Sequence, residues 1–206
     1  MKGRDKMTYA IVYSSKTGNT EQLAQTIQAA LPAADRLYCG APSAEALAAD
    51  VLYVGFWTDK GDCDASVASF LSQVTGQKVF LFGTAGFGGS PEYFDHILTT
   101  VRGHLPQSAS VVGSYMCQGK MPVAVRARYE AMEESPRRTA MLENFDKALS
   151  HPDQRDLDAL TAAIQICDNA KGPGQQTRAF CDTNEKKKKS VFLAEYGLGR
   201  SVIKGF

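Results

Sequence analysis

Tyr9-Ala10-Ile11-Val12-Tyr13-Ser14-Ser15-Lys16-Thr17-Gly18-Asn19-Thr20 is the stretch on which the fold turns. Tyr9 to Tyr13 form an unbroken apolar run, the pattern of a strand buried on both faces. The polar turn Ser14 to Thr20 interrupts it. Leu23, Ala24, Ile27 and Leu31 then recur at helical spacing, and Pro32 closes the segment. Strand, polar turn and helix make the opening of a βαβ unit.

The alternation continues outward from there. Arg36 to Cys39 reads as a second strand and Val51 to Gly55 as a third. Val67, Phe70, Leu71 and Val74 mark a helix face ended by Gly76, and Val79 to Phe82 give a fourth strand. A helix carrying Phe94, Ile97, Leu98 and Val101 leads to a fifth strand, Ser110 to Met116. Ser90 reads as that helix's N-cap, with Pro91 in its first turn. Apolar strands alternating with helices, joined by right-handed crossovers, predict an α/β fold. The expectation is a three-layer, doubly wound, five-stranded parallel sheet in the order 2-1-3-4-5. Beyond residue 120 the pattern turns helical, with Pro122, Pro136 and Pro152 placed for first turns. Leu157, Leu160 and Ile164 mark a helix completing the sheet's cover, the other C-terminal helices being additions.

Composition narrows the class. The chain has 206 residues, 44% hydrophobic and 22% charged, with net charge +1. That balance fits a soluble globular domain and gives no electrostatic ground for nucleic acid or an acidic membrane as partner. No apolar run reaches the roughly 18 residues of a spanning helix, and the N-terminus lacks a cleavage site after its short apolar segment. A cytoplasmic location is expected. Cys39, Cys63, Cys117, Cys167 and Cys181 are scattered without a CxxC pair, and His96, His104 and His151 show no metal or triad spacing. Residues 7–168 form the expected domain. Residues 1–6 read as an extension and 169–206 as a weakly ordered basic tail with the run Lys186 to Lys189.

The turn after the first strand carries the chemistry. The hydroxyls of Ser15, Thr17 and Thr20, the Asn19 amide and successive backbone N–H groups can converge on a phosphate. Gly18 lets the backbone turn there, and the helix N-terminus adds partial positive charge. Lys16 contributes at longer range or is simply exposed. The pattern is neither GxxxxGK[ST] nor GxGxxG. A plain polar turn with an N-cap is the alternative.

At Ser15, Thr17, Gly18, Asn19 and Thr20 the sequence resembles the flavodoxin family, whose S-x-T-G-N-T binds the phosphate of flavin mononucleotide (FMN). The resemblance implies that the flavin ring lies at the C-terminal edge of the sheet, between the loops after the third and fourth strands. Ligands in open α/β sheets gather at that same switch point. The first loop, Phe56 to Asp62, offers Trp57 for stacking, then Thr58, Asp59, Lys60 and Gly61. Trp57 could instead cap the core. The second loop, Gly83 to Ser90, offers Thr84, Ala85, Gly86 and Gly88, with Phe87 as another stacking candidate.

Flavodoxins are markedly acidic, whereas this chain is nearly neutral, so less negative potentials are expected. The runs Phe56 to Cys63, Phe82 to Ser90 and Cys117 to Pro122 look like a flavodoxin subgroup that includes the partner of gut-bacterial bilirubin reductase, though the same loops could serve other reductases. That resemblance implies an electron-transfer protein supplying a redox partner that reduces bilirubin to urobilinogen. A stand-alone FMN-dependent NAD(P)H oxidoreductase and a non-catalytic binding module are the alternatives. No catalytic residue is named. Cys117 could touch flavin or partner, or belong to a structural loop. Arg126, Arg128, Arg137 and Arg138 read as mostly solvated, with a docking face for an acidic partner as a second possibility.

Overall fold

The computed structural model describes residues 7–88 and 90–169. The expected N-terminal extension, and the tail from residue 170 onward, lie outside these residues.

Five strands lie parallel: β1 (Tyr9–Tyr13), β2 (Arg36–Gly40), β3 (Val51–Asp59), β5 (Lys78–Ala85) and β6 (Ser110–Gln118). Their order is β2-β1-β3-β5-β6, and the two-residue β4 (Asp62–Cys63) pairs antiparallel with the end of β3. Setting β4 aside, this is the expected doubly wound order.

Successive strand residues point to opposite faces, so each continuous apolar run feeds two cores. Ala10, Val12, Leu52, Val54, Phe56, Val79 and Leu81 pack with α2 (Ala65–Leu71) and α3 (Pro91–Arg102) through Val67, Phe70, Ile97 and Val101. Tyr9, Ile11, Val51, Tyr53, Phe80 and Phe82 pack with Leu23 and Ile27 of α1 (Asn19–Ala30) and Leu160 and Ile164 of α6 (Gln154–Asn169). Each fully buried aliphatic or aromatic side chain stabilises the fold by about 1.5–3 kcal/mol relative to exposure.

Between β6 and α6 the chain inserts α4 (Val123–Glu130) and α5 (Pro136–Ala148). Tyr129, Met141 and Phe145 are buried there against Met121, Val125, Met132 and Leu142, a cluster separate from the two sheet cores. Among the described residues, no helix is long and apolar enough to cross a membrane.

Several boundaries differ from the sequence reading. β3 runs past the apolar residues to Asp59, so the expected loop from Phe56 is strand followed by a hairpin turn at Lys60 and Gly61. Both turn residues have positive φ, 51° and 87°, as a two-residue type I′ hairpin demands. Gly83, Thr84 and Ala85 belong to β5, and Cys117 and Gln118 to β6, because main-chain pairing between these strands continues to Ala85 and Gln118. α2 ends at Leu71. Val74 stays buried through a tighter turn in which the Gln73 and Val74 N–H groups donate to Phe70 and Leu71. Ser90 caps α3 as expected, accepting from the Tyr93 N–H. Pro122 precedes α4 as its N-cap and Pro152 precedes α6, whereas Pro136 does open α5.

At the sheet edge away from these turns, Asp50 accepts from the Thr8 N–H at 2.7 Å and the Thr8 hydroxyl at 2.8 Å. These bonds hold its carboxyl below the usual carboxylate range. A depressed folded pKa stabilises the fold above the unfolded value, and the contribution is lost as pH falls through the folded one. Asp50→Asn is therefore expected to flatten the loss of stability on acidification below about pH 4, read as urea midpoints against pH.

Candidate functional site

The C-terminal edge of the sheet gathers three segments. At the first, α1 begins at Asn19 with Gly18 as N-cap at φ 83°, a left-handed conformation that glycine adopts without steric cost. Gly18 carries no capping side chain. Instead Ser15 Oγ accepts from the Glu21 N–H at 3.2 Å. Among the described residues, the backbone N–H groups from Ser15 to Thr20 have no protein acceptor. Six consecutive donors (Ser15, Lys16, Thr17, Gly18, Asn19, Thr20) at a helix N-terminus are a donor set that can hold an anion.

The second segment is the end of β3. Trp57 is half-buried, and the Lys16 ammonium lies 4.6 Å from its ring centroid. Asp59 and Lys60 are exposed at the hairpin, and Gly61 is half-buried. Thr58 Oγ1 is buried without a partner among the described residues, as is Asn19 Oδ1.

The third segment joins the end of β5 to the loop before α3. Thr84 is buried and shares a hydroxyl–hydroxyl hydrogen bond of 3.2 Å with Thr20, stitching α1 to the sheet. Ala85 is buried, Gly86 and Gly88 are half-buried, and Phe87 is 40% exposed. Phe87 meets the ring of Tyr129 edge-on at 6.5 Å, a partner from the α4–α5 insertion.

The structure thus joins Lys16 to Trp57 and Thr20 to Thr84, while Phe87 turns to Tyr129. It also adds residues that the sequence reading missed. Asn19 Nδ2 donates to the Lys120 carbonyl at 2.9 Å, and the Lys120 N–H donates to the His151 carbonyl at 2.9 Å. The Gly86 carbonyl accepts from both Gln118 Nε2 and Asn144 Nδ2, each at 3.1 Å. Only the short C-Q-G-K stretch at the sheet edge signalled any of this.

Gly119 sets how closely β6 approaches the first turn. A Cβ there would stand 2.5 Å from Asn19 Nδ2. Gly119→Ala is expected to displace Asn19 from Lys120 and to destabilise the fold by about 1–2 kcal/mol through overpacking, measured by urea unfolding.

Other candidates sort differently. Cys117 is buried in the core beneath α1 and α6, and burial raises its thiol pKa, so it is a packing residue. Arg126 is held by Glu130 and Asp146, Arg138 by the Tyr129 carbonyl and Glu134, and Arg128 lies over the Tyr129 ring. Arg126 and Arg138 are thereby internal ties of the insertion, whereas Arg128 and Arg137 are exposed. Asp62 binds His104 Nε2 at 2.9 Å beside Cys63, tying β4 to the end of α3. Burial, then Asp62, pushes the Cys63 thiol up to about 12. Asp153 and Asp156 accept N–H groups at the start of α6, where His151 Nδ1 bonds Asp156 at 2.6 Å.

The chain and its topology are matched in known proteins. The family model for the flavodoxin domain matches residues 10–165. The chain belongs to the flavodoxin family. The flavodoxin-like domain-containing protein BilS of Clostridium symbiosum (strain WAL-14163) is 37% identical over 190 residues, 82% of this chain and 100% of that protein. The BilS of Clostridioides difficile (strain CD3) is 29% identical over 161 residues, 73% of this chain and 90% of that one. A solved short-chain flavodoxin associated with a non-canonical PDU bacterial microcompartment has a TM-score of 0.51 at 17% identity. It covers 81% of this chain and 99% of its own, a likeness that concerns fold alone.

Proposed function

We propose that this flavodoxin binds FMN at the C-terminal edge of its sheet and passes electrons to a partner reductase. One observation carries the reading: the run of N–H groups from Ser15 to Thr20, without protein acceptors, around a left-handed Gly18. A phosphomonoester dianion matches that donor set. The hydroxyls of Ser15 and Thr17 add donors, and Lys16 adds charge. Asn19 Oδ1 and Thr58 Oγ1, buried and unpartnered, suit the hydroxyls of a ribityl chain. Trp57 to Gly61 and Thr84 to Gly88 then flank the ring.

When bound, FMN supplies the exchange of one or two electrons, and the protein supplies position and electrostatics. Trp57 excludes water from one side of the ring. Lys16 and Lys60 sit on the segments beside it, and a nearby cation favours the more negatively charged reduced form. The midpoint potentials are accordingly less negative than those of acidic flavodoxins.

The resemblance in the loops, together with the kinship to proteins named BilS, supports a finer reading. The acceptor is a reductase that converts bilirubin to urobilinogen, and this protein delivers its electrons. The test has two stages. Purified protein is expected to be yellow and to release FMN on denaturation. The bound flavin is then expected to resist bleaching by NADH or NADPH until donor and acceptor proteins are added. Rapid bleaching by either nucleotide alone would overturn the carrier reading in favour of a stand-alone oxidoreductase.

A further inference from the structure

The α4–α5 insertion reaches the site through the ring of Tyr129, which meets Phe87, and through a hydrogen bond to the carbonyl oxygen of Gly86. Gln118 Nε2, from the end of β6, and Asn144 Nδ2, from α5, both donate to it at 3.1 Å. The two amides are also locked to each other, Gln118 Nε2 donating to Asn144 Oδ1 at 3.0 Å. A carbonyl with both lone pairs engaged by two mutually bonded side chains has a fixed direction.

That direction has a consequence across the peptide bond. In a planar trans peptide the C=O of one residue and the N–H of the next point opposite ways. A Gly86 carbonyl held by Gln118 and Asn144 therefore turns the Phe87 N–H away from those two side chains. Among the described residues, that N–H has no protein acceptor.

Resting on the FMN reading above, we infer that Gln118 and Asn144 are positioning residues that aim the Phe87 N–H at the polar edge of the flavin ring. They touch the cofactor only through the peptide they hold. The insertion thereby tunes the flavin's electronics, since a donor aimed at the ring's edge stabilises negative charge acquired on reduction.

The test compares Gln118→Met, Asn144→Leu and their double variant with the wild-type chain by FMN titration, visible spectrum and redox titration at pH 7. The double variant is expected to bind FMN about tenfold more weakly. It should also show an altered flavin spectrum and a more negative midpoint potential. Asn144→Asp removes the Nδ2 donor without opening a void, and should move the same readouts the same way if the leucine variant fails to fold. Folded variants with wild-type affinity, spectrum and potential would overturn this inference alone. A wild-type chain that takes up no FMN would overturn it together with the functional reading.

Discussion

Gly18→Val is expected to weaken FMN binding at least about a hundredfold while leaving the sheet folded. The effect is one of backbone conformation, because a Cβ at Gly18 meets nothing within 4 Å. Gly18 sits at φ 83°, where a β-branched residue is strained by about 1–3 kcal/mol. The variant can keep the turn at that cost to stability, or relax to negative φ and swing the neighbouring N–H groups out of convergence. Binding suffers in the second case, and hydrogen bonds to a charged group contribute about 1.5–3 kcal/mol each. Losing two of them exceeds two decades of affinity. Gly18→Ala, less strained, should fall between the variant and wild type. Fluorescence quenching of FMN gives the affinities, and thermal melting reports on the fold. Wild-type affinity in a valine variant that also keeps the wild-type melting temperature would remove the first turn from the phosphate's binding site.

That turn was readable in the sequence because its chemistry is local. Ser15 to Thr20 lie side by side, between an apolar run and an amphipathic helix, and geometry over so few residues follows from composition. The sheet order was readable for a related reason. Strands buried on both faces need continuous apolar runs, and right-handed crossovers then leave few arrangements. Where strands end was not readable. β3 and β5 continue through Trp57-Thr58-Asp59 and Gly83-Thr84-Ala85 because main-chain pairing does not require apolar side chains. Nor did Lys60-Gly61 announce a hairpin, since lysine is an unusual residue for the positive φ it adopts.

The clamp on Gly86 was invisible for a different reason. Gln118 and Asn144 lie 26 residues apart, and each reads singly as a polar residue at a strand end or on a helix surface. Phe87 shows the same limit from the other side. An aromatic in a glycine-rich loop invites a stacking role toward the proposed flavin, and its contact with Tyr129, far along the chain, is not written in that loop. Pairwise tertiary contacts between polar or aromatic residues leave no periodic trace, and they are what distinguishes this edge of the fold.

Trp57→Ala is expected to weaken FMN binding about 30-fold, and Trp57→Phe by much less. The indole already has a neighbour, the Lys16 ammonium 4.6 Å from the ring centroid. For an exposed lysine that contact is worth about 0.5–1 kcal/mol, whereas stacking a nucleobase-like ring on an aromatic side chain is worth about 1–3 kcal/mol. Flavin stacking is therefore expected to win where the two compete for one face, leaving the lysine beside the ring. Its two roles separate by mutation. Trp57→Ala removes the stacking surface and acts chiefly on affinity. Lys16→Gln removes a positive charge that favours the reduced form, and should make the midpoint potential more negative, with the difference shrinking at high salt. Flavin titrations and redox titrations on the two single variants and the double variant check both. If Trp57→Ala binds FMN as tightly as the wild-type chain, the indole only caps the end of the core and the ring lies elsewhere along the sheet edge.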